Sequence, residues 1–305
     1  MPSDWEICDH VSKGFVSNRM RVLGPGTGLA GGYLYVPPRE ELEDRRAALF
    51  RLSERRLVKV YEGPGWVVGL DFAGSIAWAV IATPQADGSG PDFWLLFSGD
   101  SGLSWREVGS IPARSITSVL AVNEKEAWVL GAYELMRTTD SGDTWQSVEA
   151  PGIRNAVVET LAKESGTVLL LSRGVSATRD RGRTWIEHAL DGAQVCGVSG
   201  AIVLARVDSQ SRIGLMASED VMWIVSFDKA MIPFRVVVHG RTVRFLALPG
   251  GDDSGKGVLL YESTDNAKSW QGSLVSCFPT RGAIDVGPTG FGMAVDGEGH
   301  VLIRT

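Results

Sequence analysis

The chain is patterned as short apolar runs, rich in Val, Ile, Leu, Trp and Tyr, cut apart by Gly, Pro, Asp and Asn. Between Ser115 and Ala150 the runs are 116–122, 127–131, 134–138 and 144–149. Runs of this length and composition between turn residues read as β-strands. Gly65 to Gly109 repeats the rhythm, with strands near Trp66–Phe72, Ala77–Ala82, Phe93–Ser98 and Ser104–Val108. Asn155–Asp191, Gln194–Ala230 and Phe234–Ser276 follow it too, and Asn18–Glu62 fits four strands. At the far end only three remain, Ala283–Val286, Gly290–Asp296 and His300–Thr305. Trp5-Glu6-Ile7 echoes Trp105-Arg106-Glu107-Val108, so the N-terminus is expected to supply the missing strand.

One octad recurs in this rhythm. It is Ser98-Gly99-Asp100-Ser101-Gly102-Leu103-Ser104-Trp105, then Thr138 to Trp145, Thr178 to Trp185, and Ser263 to Trp270 with Ala267 in place of Gly. The consensus is S/T-x-D-x-G-x-S/T-W. An Asp carboxylate accepts hydrogen bonds from the turn's own backbone, Gly supplies a left-handed residue, and Trp opens the next strand with a large apolar plate. Four copies at one spacing indicate a repeat architecture. The octad resembles the Asp-box (bacterial neuraminidase, BNR) repeat of sialidase-like and photosystem II assembly-factor-like β-propellers. The resemblance implies that Asp100, Trp105, Asp140, Trp145, Asp180, Trp185, Asp265 and Trp270 are structural and remote from any active site.

With each octad between the third and fourth strands of a blade, the expectation is an all-β fold. It is a seven-bladed β-propeller of about 44 residues per blade, closed by the N-terminal strand completing the last blade. Six blades is the alternative, should Asn18–Glu62 not form one. In Gln194–Ala230 the octad is degraded to Ser218-Glu219-Asp220 before Trp223, which requires a shortened turn; in Asn18–Glu62, Ser53-Glu54-Arg55-Arg56 stands in its place. Residues 1–305 are read as a single domain.

Composition narrows the function. A net charge of −6 argues against a general nucleic-acid binder. No apolar run approaches the ~18 residues of a membrane span. The N-terminus lacks the basic and apolar regions of a signal peptide, so a cytoplasmic protein is expected. A monomer is the expected state. Cys8, Cys196 and Cys277 are too scattered for a disulfide framework. His10, His188, His239 and His300 have no ligand spacing, so neither metal nor cofactor is expected. Gly250 to Gly257 nearly matches a phosphate-binding loop, but it lacks Ser or Thr after Lys256 and carries Asp252 and Asp253.

Residues before each first strand should sit at the channel mouth, opposite the octads. There the sequence places Arg114, Arg154, Arg235 and Arg281, each shortly after a proline, and Arg19 or Arg21 in the first blade. Arg21, Arg114, Arg154, Arg235 and Arg281 are the candidate binding residues, for carboxylate or phosphate groups or an acidic partner surface. Repeat inheritance is the competing account of the same pattern. The second-to-third-strand loops Pro38–Arg46, Pro84–Asp92 and Pro249–Gly257 open on this side; the first, dense in both charges, reads as a solvated face.

No catalytic set emerges. A sialidase-like enzyme would need an arginine triad, an acid/base Asp, for which Asp44 is the candidate, and a Tyr–Glu pair that the sequence does not offer. The expectation is a non-catalytic scaffold that binds a protein partner or a small anionic ligand, in the manner of an assembly factor or a partner-neutralising protein. The alternative is a sialidase-like glycoside hydrolase or a carbohydrate-binding protein.

Overall fold

The structure is a computed structural model. It describes residues 4–11, 14–35, 44–85, 87–151, 153, 160–164, 167–171, 174–190, 192–199, 201–207, 210–217, 220–227, 231–250, 257–275, 283–296 and 298–305. The described chain forms seven four-stranded sheets, each ordered first to fourth strand. It is a seven-bladed β-propeller. Blade 1 runs through Phe15–Gly24, Thr27–Leu34, Arg46–Ser53 and Arg56–Pro64, so the six-blade alternative falls. Blade 2 is Trp66–Ala73, Ile76–Pro84, Pro91–Ser98 and Arg106–Ile111; blade 3 is Ser118–Ala121, Ala127–Leu130, Leu135–Thr138 and Gln146–Ser147. Blade 4 is Thr160–Glu164, Thr167–Leu171, Gly174–Thr178 and Ile186–Ala189; blade 5 is Ala193–Ser199, Ile202–Val207, Gln210–Ala217 and Asp220–Phe227. Blade 6 is Met231–His239, Thr242–Pro249, Val258–Ser263 and Gln271–Val275. Blade 7 is Ala283–Val286, Gly292–Val295 and His300–Arg304, with the N-terminal strand Trp5–His10 added beside the last of these.

Contacts divide the chain into two compact units. One holds Glu6–Glu149, Arg281–Gly287 and Phe291–Thr305; the other holds Met1–Trp5, Ala150–Thr280 and Pro288–Gly290. In the first unit, second strands supply much of the core. Trp78 and Trp128 occupy equivalent places in Ala77-Trp78-Ala79-Val80 and Ala127-Trp128-Val129-Leu130, and both are fully buried. The Trp78 indole donates to Asn123 O of blade 3 at 3.0 Å, joining adjacent blades. In the second unit, Phe245 stacks on Tyr261 at 4.8 Å, with Phe227 and Trp270 edge-on against it.

All four octads fold alike. The first Ser or Thr hydroxyl donates to the Asp Oδ1 at 2.8–2.9 Å (Ser98, Thr138, Thr178, Ser263). The hydroxyl oxygen itself accepts from the backbone N–H of Gly102, Gly142, Gly182 and Ala267. The Asp then accepts both the N–H and the hydroxyl of the second Ser or Thr, with hydroxyl distances of 2.5–2.6 Å. Two successive residues take left-handed backbone, for example Ser101 and Gly102, and Asn266 and Ala267. In three blades the turn also donates a backbone N–H to the hairpin joining strands one and two: Ser101 to Ser75 O, Ser141 to Lys125 O and Asn266 to Arg241 O. The octads and the first hairpins therefore share one end of each blade, and the second-to-third loops occupy the other.

The octad tryptophans are only partly buried, and in blades 2 and 6 the indole N–H returns to its own turn at Gly102 O and Ala267 O. In blade 1, Glu54 and Arg55 make the two left-handed residues of a tight hairpin where the octad is absent. In blade 5, Ala217 pairs with Asp220, so the turn is shortened as expected; residues 218–219 lie outside the described residues.

Candidate functional site

The first strands set where side chains are presented. In blades 1, 2, 5 and 6 each first strand bulges near its start, at Ser17/Arg19, Val67/Gly69, Val195/Gly197 and Pro233/Arg235. Such a bulge adds one residue and re-aims those around it. Two residues beyond it, equivalent positions tie neighbouring blades together. Asp285 accepts Val22 N–H at 2.9 Å, Asp71 accepts Ala121 N–H at 2.9 Å, and Ser199 accepts Val238 N–H at 3.0 Å. Asp285, Arg21 and Asp71 stand at matching places in blades 7, 1 and 2, and Arg21 Nε donates to Asp71 Oδ1 at 3.2 Å.

This relay accounts for Arg21. The blade 1 strand begins at Phe15, not Asn18, so Arg21 lies well inside it, committed to Asp71 and to Met20 O. Arg19 is likewise engaged, with Nε on Val68 O at 2.8 Å, and burial pushes its pKa down. Arg114 is exposed before the first strand of blade 3, and its backbone N–H donates to Glu134 Oε1 at 2.6 Å. Arg235 sits half-buried inside its strand, paired across to Leu246. Arg154 and Arg281 lie outside the described residues, as do Cys277 and most of the Pro38–Arg46 and Pro249–Gly257 loops.

A different arginine has the geometry of a binding group. Arg45 precedes the third strand of blade 1, at the end opposite the octads. Its guanidinium stacks 4.3 Å from the Tyr33 ring centroid and 5.9 Å from that of Trp66. Its carbonyl accepts Gly65 N–H at 2.9 Å, which holds the segment against the start of blade 2. Its Nε is buried without an acceptor among the described residues. Composition alone hid Arg45: it sits in a run of mixed charges, and the two aromatics it stacks on are 12 and 21 residues away.

The same blade ends present large side chains to solvent. Tyr133, in the second-to-third loop of blade 3, is 70% exposed and neighbours Glu134, the partner of Arg114. On blade 6, in the other unit, Ile232, Phe234 and Leu248 are exposed at the corresponding end.

No carboxylate arrangement for glycoside hydrolysis is apparent among the described residues. Asp44 is exposed, and Tyr261 is packed among Phe245, Phe227 and Trp270. No cluster of three potential metal ligands occurs among the described residues, and no helix is long and apolar enough to cross a membrane.

No family model matches the sequence, and no curated protein matches it. Solved structures do. The chain is similar to YCF48 bound to a D1 peptide, with 17% identity and a TM-score of 0.66 over 99% of this chain and 95% of that one. The likeness is one of fold. YCF48 from Cyanidioschyzon merolae gives 13% identity and a TM-score of 0.67, over 99% and 98% of the two chains. The WD40 β-propeller domain of Doa1 gives 9% and 0.61, over 99% and 97%.

Proposed function

We propose that this protein is a non-catalytic β-propeller scaffold that binds a protein partner through the blade ends opposite the octads. The observation that carries the reading is the contrast between the two ends of the blades. At the octad end, the polar groups of the turns are spent on the turns themselves and on the adjacent hairpins. At the other end, exposed Tyr133 and Arg114 and the ring-stacked Arg45 stand in one unit, and exposed Ile232, Phe234 and Leu248 in the other. Tyr and Arg are the residue types that most often anchor interfaces. A YCF48 propeller solved with a D1 peptide supports a protein partner for this fold. On this reading the octads are Asp-box repeats serving as fold elements, and the role is of the assembly-factor or partner-neutralising kind. The arginine face keeps Arg114 and Arg235 as contact candidates, each on its own blade, while Arg21 serves the blade-to-blade relay.

The test is capture from host lysate by intact protein, by an Arg45→Glu/Arg114→Glu variant, and by an octad-end control, Lys125→Glu/Arg241→Glu. A partner kept by the intact protein and the control, and lost by the first variant, is the expected outcome. A partner lost only by the control would place binding at the other end.

A further inference from the structure

We infer that the outer edge of blade 5 pairs with the same edge of a second copy of this chain, giving a weak dimer in place of the expected monomer. The edge is the strand Asp220–Phe227, last in its sheet and bonded on one side to Gln210–Ala217. Among the described residues no strand pairs with its other side. Such an edge leaves a row of main-chain N–H and C=O groups open, and what matches that row is another extended strand.

Outer strands elsewhere in the chain carry the features that keep edges apart, namely charge, proline or short length. Blade 1 has Arg56, Lys59, Glu62 and Pro64 in this strand, blade 2 has Arg106 and Glu107, and blade 7 has Glu6 and Asp9. In blades 3, 4 and 6 the outer strand is only 2, 4 and 5 residues long. Blade 5 has neither protection. Its outer strand runs 8 residues, Asp-Val-Met-Trp-Ile-Val-Ser-Phe, and its single ionisable residue is Asp220 at the first position. Met222 is 63% exposed, and Ser226 is exposed. The strand is held firmly in its sheet. Trp223 packs against the cluster that includes Val195 and Val203, and the Phe227 ring lies 5.1 Å from those of Phe245 and Tyr261. The edge is therefore preformed, and pairing orders little that is not already ordered. The register shift around Ile224 has counterparts in the outer strands of blades 1 and 2, so it belongs to the twist of the blades. Charge is what separates those two edges from this one.

A second copy fits the edge on two counts. An antiparallel pair about a two-fold axis is self-complementary, so each copy meets an apolar strand of high β-propensity. The two Asp220 residues then fall at opposite ends of the paired strands, which keeps the only charges of the edge apart. An 8-residue strand spans about 27 Å, a small contact for a dimer, so the dissociation constant is expected on the order of 10–100 µM. This edge is separate from the blade ends proposed above to bind a partner.

The experiment is sedimentation equilibrium of the full chain from about 1 to 300 µM, with hydrogen exchange of residues 220–227 measured at both limits. Association that rises with concentration is expected, with added amide protection in this strand at the upper limit. Met222→Lys/Ser226→Lys changes two exposed positions and should weaken association by about tenfold or more. Val58→Lys, at an exposed position on the outer strand of blade 1, should leave association unchanged. A monomer throughout overturns the inference and leaves the edge to a strand of another protein. Association without added protection in this strand, or association that responds equally to the two variants, overturns it as well. Should the double variant fail to fold by circular dichroism, the exchange measurement on the unaltered protein decides alone.

Discussion

At the scale of single residues, the octad Asp is the centre of each turn. Hydroxyl and backbone donation from Ser104 and Thr184 hold the Asp100 and Asp180 carboxyls down to about 2, and Asp140 and Asp265 shift in the same direction for the same reason. A carboxylate whose folded pKa lies below its unfolded value of about 4 adds stability above that value and loses it as pH falls toward the folded pKa. Urea midpoints should therefore drop between about pH 4 and pH 2, and the drop should be smaller in a double Asp100→Asn/Asp180→Asn variant. Left-handed backbone gives a second prediction. A Cβ at Gly102 would come within 2.5 Å of Leu29 Cδ2 at a φ of 79°, so Gly102→Ala should destabilise by about 1–3 kcal/mol. Ala267→Gly, at a φ of 65°, should be near neutral, because relief of backbone strain offsets a lost buried methyl. Trp145 is partly buried, so Trp145→Ala should cost about 2 kcal/mol, less than the ~3–5 kcal/mol of a fully buried ring, by chemical denaturation. The Asp, Gly and hydroxyl roles were legible in the octad. The second left-handed residue was not, because Ser101, Arg181 and Asn266 share no residue type that announces it.

At the scale of elements, strand number and order were legible because each blade is bounded by turn chemistry. The starts of first strands were not. A bulge inserts an unpaired residue and breaks the two-residue alternation, so Ser17-Asn18 reads as a turn when it lies inside a strand, and Pro233-Phe234 does the same. That slip moved Arg21 and Arg235 from rim to strand. The same strands reveal the relay. Asp285 is buried and accepts Val22 N–H across the blade boundary, so Asp285→Ala should destabilise by about 1–3 kcal/mol by leaving that donor without its acceptor. The N-terminal strand is tied sideways as well. Asp9 Oδ2 accepts Leu57 N–H at 2.7 Å, and Glu6 pairs with Arg55 at 2.6 Å. Deleting residues 1–12 should lower the melting temperature markedly, and an unchanged value would contradict this strand's structural role.

At the scale of the whole molecule, seven copies of one sheet give the chain two chemically distinct sets of blade ends. In the four octad blades one set is consumed by its own turns. The other carries Arg45, Arg114 and Tyr133 on one unit and the exposed apolar residues of blade 6 on the other. The central claim is that the second set is the working surface. It is tested most directly by measuring partner retention on the intact protein, on Arg45→Glu/Arg114→Glu and on Lys125→Glu/Arg241→Glu, with folding of all three confirmed by circular dichroism. The account predicts loss of the partner in the first variant alone. Retention in that variant with loss in the octad-end variant would contradict it.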